Sequence, residues 1–204
     1  RVMPRFAYIG PTYQQTKMVM WDYLKNFTKD IPGVSYNEAE LRCDFSHNGA
    51  RIQLLSGENP DRLKGIYLDG AVLDEYASMS PTVWSEAVRP TLSDRKGWCI
   101  FIGTVKGENH FWDLYQYAIS GQSAEWFGAN FKASETKVLA QSELDSARAT
   151  MSEADYMQEY ENDPRAGLVG AYFSKELTQA ENDKRITTVP YDPMMPVDVY
   201  LDLG

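Results

Sequence analysis

Adjacent carboxylates close an apolar run in GAVLDEYA, residues 70–77: Ala71, Val72 and Leu73 are followed by Asp74 and Glu75. Where a buried strand ends, successive side chains diverge toward one crevice, so two neighbouring acids can divide a task. The first can hold Mg2+, mostly through water, while the second orients a water molecule and takes its proton. Phosphate-loop ATPases that carry a catalytic glutamate use such a division. Taken alone, an Asp-Glu pair at a strand end is more often a solvated loop. A second apolar run, residues 98–102, raises its interest by ending in Gly103 and Thr104, with Lys106 and Gly107 just beyond. The glycine lets two backbones approach, and a hydroxyl beside the acidic strand can sense a phosphate or its water. Capping of the next helix is the alternative reading of Thr104.

These residues need a scaffold that brings two strand ends to one edge, and the hydrophobic pattern supplies it. Residues 6–9 are an apolar strand; Gly10 and Pro11 turn the chain, and Met20, Tyr23, Leu24 and Phe27 follow at helical spacing. Thr12 with Gln15 fits a capping box, and Pro32-Gly33 stops the helix. Leu41, Cys43 and Phe45 alternate with polar residues, Asn48-Gly49 predicts a type I′ turn, and Ala50, Ile52 and Leu54 resume the alternation. In that register Cys43 faces Leu54, which makes it a packing thiol.

The runs 71–73 and 98–102 are short and uninterrupted, as for strands buried on both faces of a parallel sheet. After the first, Ser80 and Pro81 open a helix through Val83, Trp84, Ala87 and Val88 that closes near Pro90. After the second, Phe111, Leu114, Tyr115 and Ala118 mark a helix face; a strand is expected at 126–131, then a helix capped by Ser142 and Asp145. Alternating strands and helices predict an α/β layered domain. Composition shifts at Asp163-Pro164; Pro190, Pro193 and Pro196 punctuate an extended linker, and Val197, Val199, Leu201 and Leu203 alternate as a new strand.

Composition narrows the function classes. The 204 residues are 43% hydrophobic and 24% charged, enough apolar side chain for a core. A net charge of −9 excludes a surface that coats nucleic acid throughout, so any DNA contact is local. Two cysteines and two histidines at no ligand spacing exclude a zinc cluster or disulfide framework and favour reduced thiols. His47 and His110 receive no role, and the five tryptophans, within apolar patterns, read as packing rather than base stacking. No run reaches the roughly 18 apolar residues of a membrane helix. No glycine is followed by lysine, so a phosphate-cradling loop is absent from these residues and is expected upstream. The start at Arg1 and the stop on a strand-like run suggest a piece of a longer protein.

Several segments in order resemble the large subunit of tailed-phage terminase, the DNA-packaging motor. They are IGPTYQQTK (9–17), GARIQLLSGENPDRLKGIYLDGAVLDEYA (49–77) and VWSEAVRPTLSDRKGWCIFIGTVKGENHFWDLY (83–115). ASETKVL (133–139), MSEADYMQEY (151–160), VPYDP (189–193) and LDLG (201–204) continue the likeness. The resemblance implies an α/β, RecA-like ATPase core with a mostly parallel sheet, incomplete here, over residues 1–163. A linker at 164–196 and the first strand of an RNase H-like nuclease domain at 197–204 would follow.

By position, Asp74 and Glu75 match the Walker B aspartate and catalytic glutamate, and Gly103 with Thr104 the coupling motif. Asp202 matches the first nuclease metal ligand; the remaining ligands of a two-metal site would lie beyond Gly204. ATP and Mg2+ are the implied cofactors. The implied partners are double-stranded DNA, the portal protein, the small terminase subunit and further copies in a ring, within the host cytoplasm. Two departures stand out. Val105 replaces a proline common after the coupling threonine, and Lys64 stands where many relatives have an arginine that can serve a neighbouring subunit's ATP. Lysine lacks arginine's planar fork, so Arg62 is the other candidate for that contact, solvated surface charge being the plain reading of both. The rivals are a helicase-like ATPase and a catalytically silent assembly module.

Overall fold

The computed structural model describes residues 3–166 together with 176, 179–180, 183–188 and 194. The chain divides into two compact units, Arg1–Gly167 and Leu168–Gly204. Asp202, the closing strand and most of the expected linker lie outside the described residues.

One six-stranded sheet organises the first unit. Its strands are β1 (Arg5–Gly10), β2 (Val34–Asn37), β3 (Arg42–Phe45), β4 (Ala50–Ser56), β5 (Gly70–Asp74) and β6 (Trp98–Ile102). Their order is β2-β3-β4-β1-β5-β6. The four strands from β4 to β6 are parallel, while β2 and β3 pair antiparallel at one edge. The sheet is therefore mixed, with a parallel half that carries the carboxylates.

Between β1 and β2, one continuous helical segment contains α1 (Tyr13–Thr16), a wide π-type stretch Lys17–Trp21 and α2 (Asp22–Thr28). Thr12 opens it as expected, accepting from the Gln15 amide at 3.1 Å. Gly10 is needed at the strand end, because a Cβ there would fall 2.3 Å from the Thr16 hydroxyl oxygen. Trp21 and Leu24 bury themselves against Leu41, Cys43 and Leu54 to cover one face of β1, β3 and β4. The opposite face packs Ala7, Ile9, Ala71 and Leu73 against Val83, Val88 and their neighbours.

Several local expectations are corrected. The β3–β4 connection is a four-residue loop closed by Gly49 N–H donating to Phe45 O at 2.9 Å, and Phe45 pairs with Ala50. Of Asn48 and Gly49 only the glycine has positive φ, so the turn is not type I′. Cys43 pairs with Ile52 rather than Leu54, although both leucine and thiol join the same core. The helix after β5 does not close at Pro90. A π-type stretch, Val83–Val88, runs into α3 (Arg89–Ser93), and the Arg89 amide reaches back to Trp84 O. The widened turn and the position of Pro90 at the start of α3 accommodate a ring that lacks a donor.

Strand β6 is not buried on both faces. Trp98, Ile100 and Ile102 are 49%, 48% and 42% exposed, because β5 is its one strand partner among the described residues and helices cover its other face. Beyond β6 lie α4 (His110–Ile119), α5 (Ala133–Thr136), α6 (Gln141–Thr150) and α7 (Glu153–Glu159). Residues 126–131 form no strand; Trp126 instead lies nearly parallel to the Phe101 ring, 6.0 Å between centroids. Helix α6 begins at Gln141 behind Ala140, with no side-chain cap, so Ser142 lies inside it.

Candidate active site

Asp74 ends β5 beside Ile102 of β6, so the parallel register brings both strand ends to one edge. Chain direction reverses locally at Glu75, which adopts the left-handed conformation (φ 54°, ψ 42°) and opens a tight turn, Tyr76–Ser78. Its carbonyl accepts from Ser78 N–H at 2.9 Å. A glutamate in that conformation is strained, and the surroundings must hold it in place.

Gly103 supplies part of that hold. Its φ is +140°, and a Cβ would stand 3.0 Å from Glu75 Cα and 3.3 Å from Glu75 N. Only glycine fits both the conformation and the approach. Thr104 follows, half-buried, and the cap of α4 is Asn109 rather than Thr104, which removes the capping alternative. Asn109 accepts from Phe111 N at 3.0 Å and donates to Ala77 O at 3.2 Å, so one side chain ties the two post-strand loops together. His110 adds a 3.1 Å contact from Nε2 to Tyr76 O and meets the Tyr76 ring edge-on. Val105 N–H donates to Asn162 at 3.2 Å, fixing the loop from a residue beside the expected domain boundary.

Both oxygens of Asp74 are engaged. Oδ1 accepts from the Glu75 amide at 3.1 Å, and Oδ2 accepts from the Tyr8 hydroxyl. Tyr8 lies on β1, opposite Val72 in the register. Burial, and then the hydrogen bond to Asp74, push the Tyr8 phenol well above its ordinary range, so it remains a donor at neutral pH. Burial likewise raises the Glu75 carboxyl; the Lys106 charge opposes that, and the Asp74 and Glu159 charges add to it. The Lys106 ammonium is tethered to Ser78 Oγ at 2.8 Å.

The donor set suits one kind of metal. Among the described residues no group of three or more His, Cys, Asp or Glu side chains converges, so they offer no all-protein cage. A single oriented carboxylate at an open strand edge fits a hydrated Mg2+ that takes its remaining ligands from water and phosphate. The neighbouring Glu75 carboxyl has a raised pKa, and a carboxylate of that kind can accept a proton from water.

The structure thus brings Asp74 and Glu75 beside Gly103, with Thr104 next in the chain, whereas Arg62 and Lys64 stand on a different segment. Both belong to the loop after β4, where Pro60–Leu63 form a 3-10 turn capped by Asn59. Lys64 bonds Asp61 at 2.7 Å and reaches Glu86 at 3.7 Å. Arg62 is exposed and lines a cavity of about 260 Å³ with Tyr13, Ser56, Glu58 and Asn59. Glu58 there accepts from Tyr13 N–H at 3.0 Å and from Ser56 at 2.8 Å, which hold its carboxyl below the ordinary range.

The large terminase subunit of Thermus phage G20c is 48% identical over 60 residues, 29% of this chain and 12% of that protein. That of Escherichia phage T5 is 27% identical over 118 residues, 57% of this chain and 27% of its own length. The matched stretch thus spans well under a third of either relative. In fold, the chain resembles the large terminase ATPase domain of Thermus phage P74-26, with TM-score 0.69 and 22% identity over 80% of this chain and 77% of that one. The large terminase of another thermophilic bacteriophage, in complex with ADP, gives TM-score 0.65 and 17% identity over 80% of this chain and 41% of that one. Residues 4–177 match the family described as terminase large subunit, T4likevirus-type, N-terminal, and the chain accordingly belongs to the terminase large-subunit family.

Proposed function

We propose that this chain carries the hydrolytic half of the ATPase site of a phage DNA-packaging motor. The observation that carries the reading is the Asp74-Glu75 pair at the open edge of a parallel sheet, with Gly103 packed against the glutamate backbone. Family membership favours this reading over the helicase alternative. The structures of a thermophilic-phage large terminase with ADP and with ATP-gamma-S support nucleotide as the ligand.

Bound Mg2+ would neutralise charge on the ATP phosphates during transfer. Asp74 would hold that ion, its carboxylate fixed by the Tyr8 hydroxyl and the Glu75 amide. Glu75 orients the attacking water and takes its proton, a task helped by the upward pKa shift that burial gives its carboxyl. Gly103 and Thr104 act as the coupling element, since a shift at the end of β6 cannot leave the touching Glu75 backbone in place. Arg62 or Lys64 would meet the nucleotide of a neighbouring copy in a ring, outside the carboxylate site. The phosphate cradle is supplied by residues other than these 204, which contain no Gly-Lys pair.

The same reading extends to a motor that drives double-stranded DNA through a portal in the host cytoplasm, with a small subunit as partner. Among the described residues no helix is long and apolar enough to cross a membrane. Asp202 would be the first metal ligand of a nuclease domain.

Glu75→Gln in the intact subunit tests the central role. ATP turnover should fall by at least about a hundredfold, the scale of a lost general base, while nucleotide binding is retained. Turnover at the wild-type rate would reject Glu75 as the base.

A further inference from the structure

Among the described residues, Tyr8 is the one whose polar tip touches the carboxylate pair from a strand other than β5 and β6. It lies on β1, where the pattern alternates buried Ala7 and Ile9 with half-buried Phe6 and Tyr8 on the opposite face. The parallel register sets Tyr8 opposite Val72, so its side chain lies on the same sheet face as Val72 and Asp74. From there its hydroxyl donates to Asp74 Oδ2, while Oδ1 takes the Glu75 amide. Phenylalanine would fill the same space and serve packing equally, so the hydroxyl has a purpose that the core does not explain.

We propose that Tyr8 is a positioning residue that holds the Asp74 carboxylate in the orientation in which it receives a hydrated divalent cation. The proposal deepens the ATPase reading and rests on it. An aspartate at a strand end can turn about its side-chain bonds, and each alternative orientation presents different lone pairs to the crevice. Two donors, the Tyr8 hydroxyl from β1 and the backbone amide that follows Asp74 itself, select one orientation before the ion arrives. Hydrogen-bond partners that orient metal-binding carboxylates are commonly worth about 10- to 100-fold in metal affinity. The hydroxyl leaves the charge of Asp74 intact, which a lysine or arginine in its place would cancel.

The test is Tyr8→Phe in the intact subunit, read in two ways. One is the Mg2+ concentration at half-maximal ATP turnover. The other, independent of turnover, is the Mn2+ affinity of the ADP-bound subunit, read from the paramagnetic resonance signal of the free ion. Both midpoints should rise on the order of tenfold, with turnover at saturating Mg2+ largely restored. Phe6→Leu, on the same strand face and in ring contact with Trp98 rather than Asp74, is the packing control and should leave both midpoints in place. Unchanged midpoints in Tyr8→Phe, or an equal rise in Phe6→Leu, would overturn the assignment.

Asp74→Asn separates this failure from that of the underlying reading. If Asp74→Asn abolishes the Mn2+ response and Tyr8→Phe does not alter it, only the role of Tyr8 is rejected. If Asp74→Asn also leaves Mn2+ binding unchanged, Asp74 is not the metal residue and both fall.

Discussion

Asp69 and Asp74 lie five residues apart, one immediately before β5 and the other at its end, and the chain treats them in opposite ways. Asp69 is 5% exposed; its carboxylate accepts from Arg5 N–H at 2.9 Å and pairs with Arg95 at 3.4 Å. The Arg95 guanidinium in turn lies 3.9 Å from the centre of the Tyr67 ring. The Asp69 backbone joins the brace, donating to Arg5 O at 2.7 Å and accepting from Trp98 N–H at 3.2 Å. Asp74 is half-buried, accepts a hydroxyl and an amide, and among the described residues forms no ion pair. A buried acid whose charge is matched by arginine serves to hold strands together. An acid oriented by neutral donors keeps its charge for something that arrives.

The largest effects should separate these ends. Asp74→Asn keeps an acceptor for Tyr8, so its stability should change by less than about 1 kcal/mol, whereas turnover of the intact subunit should fall on the order of a thousandfold. Asp69→Asn should do the reverse: a loss of about 2 kcal/mol in urea unfolding, from the weakened charge pairing of a buried carboxylate with Arg95, and near-normal turnover in the folded fraction. Equal losses of stability in the two variants would erase the distinction.

Much of this division is legible in the sequence, and the rest is hidden for identifiable reasons. Asp74, Glu75, Gly103 and Thr104 are visible because each pair closes an uninterrupted apolar run, and runs of that kind become neighbouring parallel strands. Tyr8 is hidden because β1 and β5 are adjacent in the sheet while three strands separate them in the chain. Its signal, a polar tip two residues before the strand end, gains meaning only with that order. Asn162 is missed because it stands at the very end of the expected ATPase segment, just before the Asp163-Pro164 boundary and in no motif, yet its side chain bonds the loop after β6. The expected strand at 126–131 fails differently: Trp126 packs with Phe101, Trp84 and Tyr117, so the aromatic content there serves ring contacts without a ladder. Aromatic content signals packing more reliably than strand pairing. The type I′ turn fails because Asn-Gly also suits longer loops that need one left-handed residue, here Gly49.

A second pair of variants sharpens the view of the site edge, with intermediate effect. Gly103 and Gly65 both have positive φ, but an added methyl at Gly65 meets nothing within 4 Å whereas one at Gly103 meets the Glu75 backbone. Gly65→Ala should therefore cost only the left-handed penalty, about 1 kcal/mol. Gly103→Ala adds the clash and should reach about 3 kcal/mol in denaturant midpoints, with turnover reduced as Glu75 is displaced. Equal costs would mean that the strand end yields freely and that the glycine does not fix the glutamate.

The smallest effect tests whether Glu75 is strained electrically as well as conformationally. Its carboxyl is raised in the folded protein, chiefly by burial, with Lys106 opposing. In the window between the unfolded carboxyl's ordinary pKa and the raised folded one, the folded state binds more protons than the unfolded state. Stability therefore falls as pH rises through that window, and the penalty persists above it. Glu75→Gln removes the titrating group and should melt slightly higher than the wild type at a pH of about 7.5, the gain vanishing as the pH drops below the ordinary carboxylate range. The acid limb of wild-type turnover should correspondingly begin at higher pH than for an unperturbed glutamate, since the base acts only when ionised. A glutamine variant no more stable at neutral pH would show that burial places no electrostatic cost on Glu75. The contrast with Asp69, whose matched charge holds the fold together, would then rest on geometry alone.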